Sequence, residues 1–386
     1  MEMARLDLTE YDISMKTGFV LEEPLTRLPP YFDPWNNVAL RFAELVGNKT
    51  MREEVLKLPV LDIDRLCGMK EERLAHVQLA VMTSGYLWQN GLQDVPKVLP
   101  KCLAVPLYGM FEKHGFQPVI TYADLYLSNA TLKDPNAPAV IENLAAIIDM
   151  MGGSEWLWFF AVGLRVEQDF ADAMQAFQNV LDGTDENDEE KIARSLDEIS
   201  DAVLNMQKTM KRFHENLSVE GFFPKMTVFY GGYGELGLHE GLIFEGVKDE
   251  PIKAKGANAG QSPILKALDA LLGIEHEEKR HAYTEEIITY MVPKHGRLIR
   301  DLRKRPKQLK SVVESSSNTD LQQAYNNLVQ SVLKFRNYHV QIVTKYVVQG
   351  VKKNFPPEMK ESFHPVQQFI INYVKGMRDD CKTGAS

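Results

Sequence analysis

His339 is the residue in this chain whose setting most invites a chemical role. Within 319–349, Leu321, Tyr325, Leu328, Val332, Phe335, His339, Ile342 and Tyr346 recur in steps of three and four, so all share one stripe of a helix. Thr319, with Gln322 three residues on, predicts the start of that helix with a capping box, and Gly350 predicts its stop. A buried imidazole needs a partner for each ring nitrogen, because an unsatisfied one costs about 1–3 kcal/mol. His339 is therefore either a satisfied core histidine or a metal ligand. Two other features could carry function. Phe222-Phe223 stands between Gly221 and Pro224, placing paired rings at a bend. The run Lys255-Gly256-Ala257-Asn258-Ala259-Gly260-Gln261-Ser262 is a small-residue loop whose backbone can approach a ligand or a neighbouring element closely. It lacks P-loop spacing and the strand context of a dinucleotide site, so a tight connector is its plainer reading.

The remaining histidines are scattered, and none has HExxH or other paired ligand spacing. No catalytic triad is evident. A metal at His339 would have to bring its other ligands with it. A porphyrin does so, supplying four nitrogens and needing one axial imidazole from the protein, so the pattern is compatible with haem.

The elements that must position these residues read as mostly helical. Residues 1–50 are rich in proline and aromatics (Tyr11, Phe19, Pro29, Pro30, Tyr31, Phe32, Pro34, Trp35), which predicts an extended arm with a helix starting near Trp35. A buried helix is expected over 71–89, and 118–127 is ambiguous between strand and buried helix. Gly152-Gly153-Ser154 is the best boundary signal. It divides a small N-terminal domain, 1–151, from a large helical domain, 155–386. After it a helix is expected from Trp156 to about Leu181, and a second over 191–216 with Ile192, Leu196, Ile199, Val203, Met206 and Met210 on one face. Two more helices, near 264–272 and 282–291, lead to the His339 stretch. The basic run 297–310 reads as a solvated face, and 375–386 as a frayed end.

Composition narrows the class. With 44% hydrophobic and 25% charged residues the chain has the make-up of a globular protein. A net charge of −9 argues against nucleic acid and against an anionic membrane surface. No apolar run reaches the roughly 18–20 residues of a membrane span. Three widely spaced cysteines, without CxxC, form neither a disulfide framework nor a zinc site, and a cytoplasmic setting is expected.

Several segments resemble the indoleamine 2,3-dioxygenase family. The segment Phe335-Arg336-Asn337-Tyr338-His339-Val340-Gln341-Ile342-Val343-Thr344-Lys345-Tyr346 is similar to that family's proximal-histidine helix. Tyr122-Ala123-Asp124, Lys133-Asp134-Pro135-Asn136, Gly221-Phe222-Phe223, Ala259-Gly260-Gln261-Ser262 and Leu268-Asp269-Ala270-Leu271-Leu272-Gly273-Ile274 follow the family order over most of the chain. The resemblance implies a mainly α fold, with a large all-helical haem-binding domain capped by a smaller, mixed but mostly helical N-terminal domain. It implies haem b with His339 as proximal ligand, Arg336 near a propionate and paired with Asp269, and the loop of Gly256, Ala257, Asn258, Ala259 and Gly260 passing over the haem. Phe159 and Phe222 would line the distal pocket, Phe223 its edge and Tyr122 its wall.

Three departures bear on activity. Catalytic members carry an arginine, five residues after the first phenylalanine of the pair, that holds the carboxylate of tryptophan, and this chain has Thr227 there. A distal serine of many catalytic members is replaced by Gly163, and Ala257-Asn258 replaces Gly-Ser in the loop. The family also includes gastropod myoglobins, which this chain resembles more than the enzymes. The expected function is therefore reversible O₂ binding by a monomer, with tryptophan or other indoles bound weakly. The alternative is an active dioxygenase that opens the indole ring of tryptophan.

Overall fold

In a computed structural model the described residues are 5–220, 223–234, 237–305, 308–354 and 357–383. They are mainly α-helical, with five short strands among them. Val98–Leu99 pairs in parallel with Leu242–Phe244, which pairs antiparallel with Lys248–Ile252. Ala130–Leu132 and Leu144–Ala146 form an antiparallel hairpin across the Lys133–Asn136 loop. No described helix is long and apolar enough to cross a membrane. The cysteines are unpaired, with Cys102 and Cys381 buried.

The N-terminal arm packs through its aromatics as its composition implies. Tyr11, Phe19, Phe32 and Trp35 are all buried, and helix Asp33–Ala39 begins beside Trp35. The expected helix over 71–89 is Gly68–Trp88. Helix Glu189–Lys211 buries the expected Ile192, Leu196, Ile199, Val203, Met206 and Met210. The Asp188 side chain caps it by accepting from the Lys191 N–H at 3.0 Å, and Lys208 and Lys211 complement the helix dipole at its other end. It stops at Lys211, short of the expected residue 216, and resumes as Phe213–Asn216.

This helix is the main support of Thr319–Ile342, the helix that carries His339. A buried hydroxyl pair, Ser200 to Ser331 at 2.6 Å, joins the two, and Tyr325 donates to the Leu272 carbonyl at 2.6 Å.

Five expectations need correction. The cap of the His339 helix is Asn318, not Thr319, because the Asn318 side chain accepts from the N–H groups of Asp320 and Leu321. Gly350 is no stop. The α-helix passes into a π-helical turn, Val343–Val348, and continues through a buried Gly350 to Asn354.

The helix expected from Trp156 to Leu181 is two helices, Ser154–Asp169 and Met174–Glu186, broken at Ala171–Ala173. At the break the Asp169 carboxylate accepts from Arg165 and Thr209, and the arm crosses at Gly18. A Cβ on Gly18 would stand 3.3 Å from the Ala171 Cα. Packing, not a Gly or Pro in the segment, makes this break, so periodicity does not reveal it.

The C-terminus is not frayed over the described residues. Helix Pro357–Thr383 buries Met377 and Cys381, and Asp380 pairs with Arg280. The basic run is also more engaged than a solvated face: Arg303 pairs with Glu285, Arg305 with Asp185, and Arg297 lies over the Tyr11 ring.

Candidate functional site

Arg336 lies one turn before His339 and is buried. Its Nη2 donates to both Asp269 carboxylate oxygens at 2.7 Å, and its Nη1 donates to the Met377 carbonyl at 2.7 Å. On the far side of Asp269, His276 Nε2 lies 3.1 Å from Asp269 Oδ2, and its Nδ1 lies 3.0 Å from Asp380, which Arg280 clamps at 2.8 and 2.5 Å. A buried polar row, Arg336, Asp269, His276, Asp380 and Arg280, thus ties the His339 helix to helices Pro263–Leu272 and Pro357–Thr383. Burial pushes the Asp269 carboxyl up, but the Arg336 charge, with His276 and Lys266, outweighs it and holds the group at about 2.

The His339 imidazole has no hydrogen bond among the described residues. Burial first, then the charges of Arg336 and Lys266, hold its pKa down at about 4. The ring is therefore neutral near pH 7, the form in which histidine ligates metals. The residue still keeps some accessible surface. Among the described residues no group of three or more His, Cys, Asp or Glu could hold a metal ion.

A second group gathers around Tyr126, on the π-helical turn Ala123–Leu127. That turn settles the ambiguity over 118–127. Asp124 fixes it by accepting from the Thr121 N–H and hydroxyl at 2.8 and 2.7 Å, and its other oxygen lies 2.7 Å from His76 Nδ1. Single π turns inserted in α-helical structure are frequent at functional sites, and the second one here follows directly on the His339 helix. The Tyr126 ring lies 4.8 Å from Tyr122, 6.1 Å from Phe159 and 5.9 Å from Phe160, the last stacked at 16°. Gly163 lies directly under it.

From Phe159 the contacts run to Phe213 at 5.5 Å. The adjoining His214 stacks on Tyr346 and meets Tyr338 edge-on. Those two tyrosines precede and follow His339 in the chain, and His214, the chain neighbour of Phe213, is the residue that reaches them.

Below the aromatic group lies Glu167, one helical turn after Gly163. Its Oε1 accepts from Tyr122 Oη and Ser262 Oγ, each at 2.7 Å, and its Oε2 is buried without a partner among the described residues. Burial raises this carboxyl to about 7, with the two hydrogen bonds opposing. The small-residue loop is tied to the same place: Gln261 Oε1 accepts from the Tyr122 N–H at 2.8 Å, and Asn258 accepts from the Gly260 N–H at 3.0 Å.

Within the loop, Gly256 is required by backbone packing. A Cβ there would run into the Tyr230 carbonyl and stand 2.6 Å from the Gly231 carbonyl carbon, because 230–232 and 254–256 lie side by side at the Tyr233–Ala254 bridge. The connector reading therefore holds for that glycine.

The structure thus brings Arg336 to Asp269, and Tyr122, Phe159 and Gly163 to one another. Thr227 sits in helix Phe223–Phe229, which packs on Gly68–Trp88 and Gln349–Asn354. Phe222 lies outside the described residues, as does the Phe223 side chain. Sequence reasoning missed Tyr126, Glu167 and His276. Glu167 stands four residues after Gly163, so helical spacing was the signal available for it.

The family model for indoleamine 2,3-dioxygenase matches residues 7–380. The chain is 36% identical to the myoglobin of Haliotis madaka over 380 residues, covering 98% of each chain. It is 34% identical to indoleamine 2,3-dioxygenase 1 of Rattus norvegicus over 392 residues, covering 99% of this chain and 96% of that one. It is 30% identical to indoleamine 2,3-dioxygenase 2 of Homo sapiens, covering 97% and 94%. This chain belongs to the indoleamine 2,3-dioxygenase family.

Proposed function

We propose that this chain is a haem b protein that binds O₂ reversibly, in which His339 would hold the haem iron. The observation that carries the reading is the His339 imidazole, which is interior, neutral and without a hydrogen bond among the described residues. These residues fit the group, since porphyrin iron needs a single imidazole from the protein and no second ligand cluster. Haem, when bound, supplies the iron at which O₂ is taken up.

The chain's own residues orient the ligand and exclude water. Asp269 neutralises and fixes Arg336, which sets the rotation of the helix one turn before His339. The loop of Gly256, Ala257, Asn258, Ala259 and Gly260 would lie over the haem, held by Gln261 and Ser262. Tyr122, Phe159 and Gly163, with Phe222, Phe223 and Thr227, would wall the distal side, and an apolar wall that keeps water out slows oxidation of the iron. On this reading 1–151 caps the haem domain, 155–386.

Similarity to proteins named myoglobin supports the carrier reading. Similarity to proteins named indoleamine 2,3-dioxygenase favours a second reading, dioxygenation of tryptophan. Thr227 weighs against it. Replacing a charge-assisted carboxylate anchor by a neutral hydroxyl costs on the order of 1.5–3 kcal/mol of substrate binding.

Reconstituted, reduced protein should take up O₂ and release it on evacuation with its spectrum restored; rapid irreversible oxidation instead would count against storage. Thr227→Arg should tighten tryptophan binding at least tenfold, read from the Soret perturbation. An unchanged affinity would remove the anchor argument.

A further inference from the structure

Gly163 looks, in sequence, like the loss of a distal hydroxyl. Its surroundings give it another meaning. A Cβ on Gly163 would stand 2.6 Å from the Tyr126 Cζ and 2.8 Å from its Oη, and closer still to Cε1. The ring cannot swing away, because Phe160 stacks on it, Tyr122 and Phe159 flank it, and Tyr126 is 4% exposed. No residue with a side chain can stand at 163 while Tyr126 holds this position. Glycine there is the condition of the tyrosine, and a serine hydroxyl on that Cβ would land in the space where the Tyr126 hydroxyl now lies.

That hydroxyl is uncommitted. Tyr122 Oη donates to Glu167 and Tyr230 Oη bonds Trp156, whereas Tyr126 Oη has no hydrogen bond among the described residues. Burial, then the neighbouring Tyr230 and Glu167, push the phenol well above its usual range, so it remains a donor near neutrality. The oxygen is not among the fully buried polar atoms that lack a partner, so it keeps accessible surface, and a ligand that accepts from it gains a hydrogen bond.

We propose that Tyr126 sets the ligand specificity of this site, its ring filling the space beside Gly163 that a bicyclic aromatic substrate would need and its hydroxyl donating a hydrogen bond to O₂. The proposal rests on the haem reading above. It places the discrimination in sterics as well as in the missing carboxylate anchor. A diatomic ligand fits beside a tyrosine ring, whereas an indole competes with it for the same volume.

Three variants test it. Tyr126→Phe removes the hydroxyl alone. In reconstituted protein it should raise the O₂ dissociation rate about five- to tenfold, the worth of one neutral hydrogen bond, and move the C–O stretch of the carbon monoxide complex to higher frequency. Unchanged values would overturn the donor role. Tyr126→Val clears the ring, and millimolar indole should then shift a Soret band that it leaves unmoved in the wild type; no shift would overturn the filling role.

The packing needs no haem. In apoprotein, Gly163→Ser should lower the denaturation midpoint, and adding Tyr126→Val should restore most of the loss, whereas additive effects would show that the two residues do not share this space. A wild type that takes up no haem would defeat the haem reading, and the apoprotein cycle would still decide whether Tyr126 occupies the Gly163 space.

Discussion

His339→Ala should abolish the Soret band that the wild-type chain acquires with haem, and millimolar imidazole should bring much of it back. The imidazole is neutral because burial and the charges of Arg336 and Lys266 hold it down at about 4, so a nitrogen free to ligate iron is not lost to protons until the medium is strongly acidic. No other cluster of His, Cys, Asp or Glu among the described residues offers a replacement. Far-ultraviolet circular dichroism should change little, since alanine suits a helix interior. Removing a ring without hydrogen bonds leaves no described partner unsatisfied. Retention of a wild-type Soret band in the variant would exclude His339 as the ligand.

The second large effect is on stability. Asp269→Ala, or Arg336→Ala, leaves one buried charge of the 2.7 Å pair without its main partner, which costs about 3–5 kcal/mol. The double replacement by apolar residues of similar volume should cost far less than the sum of the two singles, because most of each penalty is the stranded partner. Denaturant midpoints at constant slope measure this, and single costs below about 1 kcal/mol would mean that water reaches the pair.

A pH signature goes with it. The folded pKa of Asp269, about 2, lies below the ordinary carboxylate value. Its contribution is therefore fully present above pH 4 and is lost as pH falls from about 4 to about 2. Asp269→Asn should flatten that limb of the stability curve.

How much of this could be read from the chain varies with the kind of signal. The stripe carrying His339, and the buried face of Glu189–Lys211, follow an unbroken 3.6-residue period, so both were legible. Asp269 is far from Arg336 in sequence, and no local pattern joins them; only the resemblance did. Tyr126 was hidden because a π turn closes hydrogen bonds from i to i+5, which fits neither the helical nor the strand period over 118–127. The buried pair Met377 and Cys381, four residues apart, was masked by the charges between them, which suggested fraying. Gly163 was visible as a departure, but its reason is a ring supplied by another segment, and a substitution read alone says only what was lost.

The central claim is that O₂ is bound here and tryptophan is not consumed. The most direct test is to supply reconstituted, reduced protein with air and micromolar L-tryptophan and to follow the formation of N-formylkynurenine over repeated turnovers. This account expects a persistent O₂-dependent spectrum and no sustained product formation. Repeated turnover at that tryptophan concentration would contradict it and identify the chain as a working dioxygenase.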